Sequence, residues 1–367
     1  MTSKAKRGPL SKLRRTNIIY PVILGFGMVI YMFIRQFNPR IFEDIDYTQH
    51  AFFWLLFAIL LMAVRDFGYM IRLKILTDNE FSWRQTFRVI MLWEFTSAIT
   101  PSAIGGTSVA IIFVNKEGLS LGKSSAVVMA TSFLDELYFL LTFPLLLILI
   151  SEHKLFAISG STGVASLSNE FFLFAILGYS LKLLYTLALS YGLFINPRGL
   201  KWLLLWIFKL PLLRRWRSEA NEAGTEIVSS SRELRKKSIG FWIKAFGATI
   251  ISWTSRYWVV NALFLIFFAV PDHFLLYARQ LVAWIMMLVI PTPGGSGGSE
   301  WVFMKYLGDL IPLVPELKKP IAVVLAFLWR MISYYPYLLI GTIIFPRWIR
   351  MKFGANSNQI KTPSTGH

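Results

Sequence analysis

The 367-residue chain has no cysteine, which excludes disulfides, thiolate catalysis and cysteine-ligated zinc. Its four histidines, His50, His153, His273 and His367, lie far apart and show no helical metal spacing. Acidic residues are few: 20 Asp and Glu stand against 38 Lys and Arg, giving a net charge of +18. No Walker A run is present, so ATP does not drive this chain directly, and the glycine-rich runs follow no strand, which argues against a dinucleotide site. Charge is also nearly missing from several stretches of about 20 residues or more, long enough to cross a hydrocarbon core of about 30 Å.

Hydrophobic residues make up 55% of the chain and the mean hydropathy is +0.54, above an ordinary soluble domain. The composition therefore predicts an all-α polytopic membrane protein. Its basic residues sit in loops between apolar segments, which reads as the positive-inside rule and attraction to anionic lipid rather than nucleic-acid binding. Six full spans are expected: Asn17–Phe37, Phe52–Leu76, Ser124–Ile150, Phe171–Phe194, Phe241–Val270 and Pro320–Phe345. No small-residue cleavage site closes the first, so it reads as a retained helix behind the basic segment Met1–Thr16.

Two more apolar stretches are interrupted. Thr86–Val114 is broken at Thr100-Pro101-Ser102-Ala103-Ile104-Gly105-Gly106, and Tyr277–Leu310 at Pro291-Thr292-Pro293-Gly294-Gly295-Ser296-Gly297-Gly298. Proline lacks a donor and glycine favours non-helical backbone, so each stretch reads as a re-entrant hairpin of two half-helices. Charge decides between re-entry and crossing. With two hairpins, most of the Lys and Arg fall on one side, including the eleven of Asn196–Lys244, and both termini are cytoplasmic. If both stretches crossed, that basic segment would lie outside.

The interruptions resemble each other. Thr100-Pro101-x-x-x-Gly105-Gly106-Thr107 matches Thr292-Pro293-x-x-x-Gly297-Gly298-Ser299, and Arg65 and Arg256 precede the two motifs at nearly equal distance. The chain thus reads as one transmembrane domain over 1–350, with repeat one at about 52–150 and repeat two at about 241–345. The repeats are inverted, as in many secondary transporters. The segment 196–240, with Trp202–Phe208 followed by Lys209, Arg214, Arg215 and Arg217, reads as an interfacial helix joined to a solvated one. Residues 351–367 read as a disordered cytoplasmic tail.

Ionisable groups near span centres are costly and mark either interhelical ion pairs or a polar cavity. The candidates are Arg65, Asp66, Asp135, Glu136, Lys182, Arg256 and Arg330, with Glu94 and Glu300 in or beside the hairpins. A half-helix is expected to begin after each Gly-Gly, at Thr107 and Ser299, where free N–H groups favour an anion. A site for a lipid phosphate would then draw on Arg65, Arg256 and Arg330, on Thr100, Pro101, Gly105, Gly106 and Thr107, on Pro293, Gly297, Gly298, Ser299 and Glu300, and on Asp135 and Glu136. The alternative reading of Gly-Gly is close packing of the hairpins. The residues imply no metal and no cofactor.

The run Pro293-Gly294-Gly295-Ser296-Gly297-Gly298-Ser299-Glu300 resembles the Pro-Gly-Gly-x-Gly-x-x-Glu motif of the lysylphosphatidylglycerol synthase transmembrane family. Thr100–Gly106, Asn115-Lys116-Glu117-Gly118 and Phe133-Leu134-Asp135-Glu136 are similar to that family's first half. The resemblance implies a stand-alone flippase-like membrane part, without the soluble aminoacyl-transferase domain that fused members carry. Its implied substrates are phosphate-bearing lipids: aminoacylated phosphatidylglycerol, another phospholipid or a polyprenyl-phosphate lipid. Its implied place is a bacterial inner membrane, with a separate lipid synthase as a candidate partner. The family often has an arginine shortly before the aspartate of repeat one's last helix, whereas Thr131, Ser132 and Phe133 stand here. Two rival functions remain open from the sequence: a lipid-modifying enzyme with Asp135, Glu136 or Glu300 as general base, and a scaffold that recruits a synthase.

Overall fold

The computed structural model describes residues 49–100, 102–158, 167–210, 214, 217–288 and 297–353. Among them every regular element is helical. The expected first span, the tail, Pro101, and the Pro291–Ser296 stretch with Pro293 lie outside the described residues.

The helices are α1 (Gln49–Leu76), α2 (Trp83–Ile99), α3 (Ser102–Glu117), α4 (Leu121–Leu149) and the short α5 (Glu152–Phe156). There follow α6 (Leu167–Ser190), α7 (Pro197–Ile207), α8 (Arg217–Arg235), α9 (Ile239–Phe267), α10 (His273–Met287), α11 (Gly298–Val302), α12 (Pro315–Ser333) and α13 (Tyr335–Phe353). A π turn at Phe303–Leu307 and a 3-10 turn at Gly308–Leu310 extend α11. Among the described residues, five segments are long and apolar enough to cross a membrane: Gln49–Leu76, Leu121–Leu149, Asn169–Ile195, Ile239–Phe267 and Leu317–Lys352. They coincide with the other five expected spans. Many of their outward residues are large and apolar, such as Phe52, Leu60, Leu145, Ile148, Leu184 and Ile251. In water that surface would be unstable; in lipid it is the natural solvent face.

Helix starts are written in the sequence. Ser82 and Gln85 form a reciprocal capping box at α2, and Ser120, Ser238 and Asp272 each accept a backbone N–H at the starts of α4, α9 and α10. The centre of the bundle is the pair α1 and α9. Ser252 donates to the Arg65 carbonyl at 3.0 Å, while Arg72, two turns further along α1, reaches back to Thr249 at 3.2 Å. The two helices therefore run antiparallel. Their approach depends on Gly68, where a Cβ would lie 2.3 Å from Ser252 Oγ and 3.1 Å from the Ala248 carbonyl. Small residues let helices close in lipid, where the hydrophobic effect cannot drive them together.

The expectations differ from the structure at three points. First, α3 begins at Ser102, not Thr107, so Gly105 and Gly106 lie inside the half-helix. Gly106 is a packing glycine: a Cβ there would come within 3.0 Å of Ser97 Cα on α2. Second, Pro320–Phe345 is not one helix, because the chain breaks at Tyr334 between α12 and α13. Pro336 is the physical cause, since it removes a donor and its ring clashes with the carbonyl one turn back. Third, Arg72, inside the expected span Phe52–Leu76 but not among the candidate charges, is a buried residue of α1.

Candidate functional site

Most of the intramembrane charges are matched. Arg65, 1% exposed, bonds Asp66 at 2.9 Å and Glu94 at 2.6 Å, so one cation faces two carboxylates. Its guanidinium lies over Tyr69 and Tyr337, and the Tyr337 hydroxyl donates to both Asp66 oxygens at 2.9 Å. Lys182 donates to the two Glu136 oxygens at 3.2 and 2.9 Å, tying α6 to α4. Taking one member from such a pair strands a buried charge and costs about 3–5 kcal/mol.

Asp135 has its arginine, but from another helix. Arg72 reaches it with both terminal nitrogens, at 2.5 and 3.2 Å, and Trp253 Nε1 donates to it at 2.7 Å. The arginine that the stretch before Asp135 lacks is thus supplied by α1, with fork-on-carboxylate geometry. No local pattern signals this pairing, because the partners are distant in the chain.

The second hairpin meets α12. Arg330 Nε bonds Glu300 at 2.6 Å, and its Nη2 also contacts the Ser299 hydroxyl. Glu300 accepts the Gly297 N–H at 2.7 Å, which caps the start of α11. Gly297 has φ +83°, a conformation for which glycine is suited. The half-helix start at Gly298 is one residue from the expected one. Its carboxylate is already placed at the N-terminus, where the helix dipole favours it.

Arg256 differs. It has no carboxylate partner among the described residues and is only half-buried. Its guanidinium lies 4.3 Å from the Trp284 ring centre and 5.6 Å from that of Trp253. Such stacking is worth about 2 kcal/mol or more when desolvated. A charge near the centre of a span costs at least about 2.5 kcal/mol, so the rings compensate much of it but leave the positive charge unneutralised. Beside it lies a narrow cavity of about 20 Å³, lined among others by Ser299, Trp284, Gln280 and Trp329. Through Ser299 this cavity touches the Arg330 pair, and Tyr69 lies within electrostatic reach of Arg65, Glu94, Asp135 and Arg256.

The structure therefore gathers Arg256, Ser299, Glu300 and Arg330 at one place, with Arg65 and Asp135 beyond Tyr69. Glu136 faces α6 instead. From the first hairpin, Thr100 bonds back to the Thr96 carbonyl at 2.7 Å, and Gly106 packs on Ser97; neither lines the cavity. A separate apolar groove of about 380 Å³ runs between α4 and α9, floored by Leu137, Phe133, Trp242 and Phe246.

Two residues that sequence reading passed over close the open ends of the hairpins. Arg279 on α10 bonds Asp309 at 3.2 Å and the carbonyls of Tyr306, Lys154 and Ala157 at 3.0, 3.1 and 2.6 Å. Arg88 on α2 grips Glu117 at 2.8 and 3.1 Å, and Trp348 and Lys352 of α13 join it at 3.0 and 3.1 Å. Arg88 and Glu117 flank the first hairpin at nearly the spacing with which Arg279 and Asp309 flank the second. Extending the motif match outward in the sequence would have found both pairs.

With this geometry in place, comparison with known proteins gives a direct result. The family model described as the lysylphosphatidylglycerol synthase transmembrane region matches residues 18–341. The chain belongs to this family. Among its relatives is a UPF0104 membrane protein of Archaeoglobus fulgidus, 28% identical over 307 residues, which cover 79% of this chain and 81% of the archaeal one. No solved structure matches the chain. Family membership associates this lysylphosphatidylglycerol synthase-type membrane region with lipid handling.

Proposed function

We propose that the protein is a lipid flippase, a transporter rather than an enzyme, which moves a phosphate-bearing lipid between leaflets. The observation that carries this reading is Arg256: a membrane arginine with aromatic partners and, among the described residues, no acidic one, beside a cavity reached by the start of α11. Arginine presents a planar fork suited to phosphate. The carboxylates that a lipid-modifying enzyme would use as a base are instead engaged: Asp135 with Arg72, Glu136 with Lys182 and Glu300 with Arg330. The apolar groove between α4 and α9 offers a surface for lipid chains at the side of the bundle.

Inverted repeats supply the movement in this reading. Three features support them: the antiparallel α1 and α9, the equivalent clamps Arg88–Glu117 and Arg279–Asp309, and Pro144 and Pro336 at matching places in the last helix of each half. Rocking of one half against the other opens the site to each leaflet in turn. The same reading places the protein in a bacterial plasma membrane, as the family resemblance implies, with both termini cytoplasmic by the charge distribution.

Head-group translocation in reconstituted vesicles tests the proposal. Arg256→Lys keeps the charge but loses the fork, and Gly298→Val fills the approach to α11. Both variants are expected to insert normally and to lose most of the transport. Native transport by both would refute the site.

A further inference from the structure

The Arg256 cavity holds more donors than charges. Gln280 on α10 and Tyr257 on α9 line it, and they are only 6% and 3% exposed. Gln280 Nε2 and the Tyr257 hydroxyl are buried and have no hydrogen-bond partner among the described residues. Native proteins rarely leave such groups unpaired, because a buried amide or hydroxyl without a partner keeps its full desolvation penalty. Two of them beside an arginine with no acidic partner make a donor set that lacks an acceptor.

The charge of that set is limited to one. Arg330 is matched by Glu300, Arg72 by Asp135, and Arg65 by both Asp66 and Glu94. Of these four arginines, Arg256 is the one with no carboxylate partner among the described residues. The other cavity walls are apolar or aromatic, including Val260, Met287, Phe303 and Trp329. A second negative charge on a ligand would meet no cation of its own and would face Glu300 one residue from Ser299, a costly arrangement at low dielectric.

We infer that the head group taken at this site is a phosphodiester with a single negative charge, held by Arg256 together with the neutral donors of Gln280 and Tyr257, and that phosphomonoesters and pyrophosphates are rejected. The inference rests on the proposed phosphate site and narrows its substrate class. A diester supplies one charge and two non-bridging oxygens, enough acceptors for the guanidinium fork, the amide and the hydroxyl. At about 20 Å³ the cavity has room for water but not for a phosphate. Binding therefore requires α11 and α12, which carry Ser299 and Trp329, to draw away from α9. This couples occupancy to movement of the second hairpin.

The test is lipid binding to the detergent-purified full chain, counted by native mass spectrometry, with Arg256→Gln as the reference for lipid held elsewhere on the surface. The probes are dioleoyl phosphatidylglycerol, a diester, and dioleoyl phosphatidic acid, a monoester with the same chains. The pH is about 8, above the second ionisation of a phosphomonoester near 6. The expected result is Arg256-dependent binding of phosphatidylglycerol at least about tenfold tighter than of phosphatidic acid, since an unmatched charge is strongly penalised. Gln280→Leu and Tyr257→Phe should each weaken the diester several-fold without lowering the melting temperature. Arg256-dependent binding of phosphatidic acid as tight as that of phosphatidylglycerol would overturn the single-charge inference and leave the phosphate site standing. Diester binding unchanged in both donor variants would overturn the roles of Gln280 and Tyr257. If neither lipid binds in an Arg256-dependent way, the inference and the phosphate reading fail together.

Discussion

Arg65 and Arg256 stand at equivalent places before the two hairpin motifs, yet their surroundings differ. Arg65 is fully buried, bonded to Asp66 and Glu94, and stacked on two tyrosines. Arg256 is half-buried, flanked by Trp253 and Trp284, and has no acidic partner among the described residues. The hairpin bases show the opposite behaviour. Arg88–Glu117 and Arg279–Asp309 keep the same pairing in both halves. The two hairpin bases thus share their chemistry, whereas the two central arginines do not. In the proposed reading, Arg65 is a structural hub and Arg256 is left for an anion.

The clamps are the place to break this comparison with the largest effect. Arg279 is buried and holds three backbone carbonyls besides Asp309, so Arg279→Ala is expected to cost about 3–5 kcal/mol and to sharply lower the yield of folded protein. Arg88 is 29% exposed, and Glu117 keeps Lys352 and Trp348 without it, so Arg88→Ala should cost about 1 kcal/mol. Thermal unfolding of the two purified variants checks the ranking. Equal losses would show that the clamps are alike in energy as well as in position.

The two central arginines give the next contrast. Arg65→Gln strands two carboxylates and should destabilise by about 3–5 kcal/mol. Arg256→Gln removes a charge that no carboxylate among the described residues balances, so stability should change by no more than about 1 kcal/mol, since lost stacking is offset by lost desolvation. A large loss of melting temperature in Arg256→Gln would mean that Arg256 too is a structural hub.

The smallest effect concerns pH at the base of the first hairpin. Burial pushes the Glu117 carboxyl up, but the hydrogen bonds and charges of Arg88 and Lys352 outweigh this and hold it below its ordinary value of 4.5. Because the folded value is the lower one, the clamp's contribution is complete above about pH 4.5 and is lost as pH falls through the folded value. The melting temperature of native protein should therefore fall more steeply below that pH than that of Glu117→Gln. Parallel curves would show that Glu117 is not depressed.

The spans were legible because hydropathy and length alone define a membrane helix, and five of the expected segments coincide with helices long enough to cross. The interruptions between α2 and α3 and between α10 and α11 were legible from proline and glycine. What stayed hidden depends on side chains that meet across the fold. Asp135 finds Arg72, far away in the chain, and no motif announces it. Gly105 and Gly106 read as a helix start, yet α3 runs through them, and at Gly106 close contact with Ser97 needs a residue without a side chain. The break at Tyr334 follows from Pro336, whereas Pro144, at the matching place, sits inside an unbroken α4. A proline alone does not decide between kink and break; the packing around it does.

The central claim, that Arg256 is the anion site of the molecule, is tested most directly by cryo-electron microscopy of the protein in nanodiscs containing phosphatidylglycerol. The account predicts phosphate density within hydrogen-bond reach of the Arg256 guanidinium, between Trp284 and Ser299, with Gln280 and Tyr257 turned toward it. Arg256 bonded to a carboxylate of the chain, with lipid phosphates confined to the membrane surface, would contradict it.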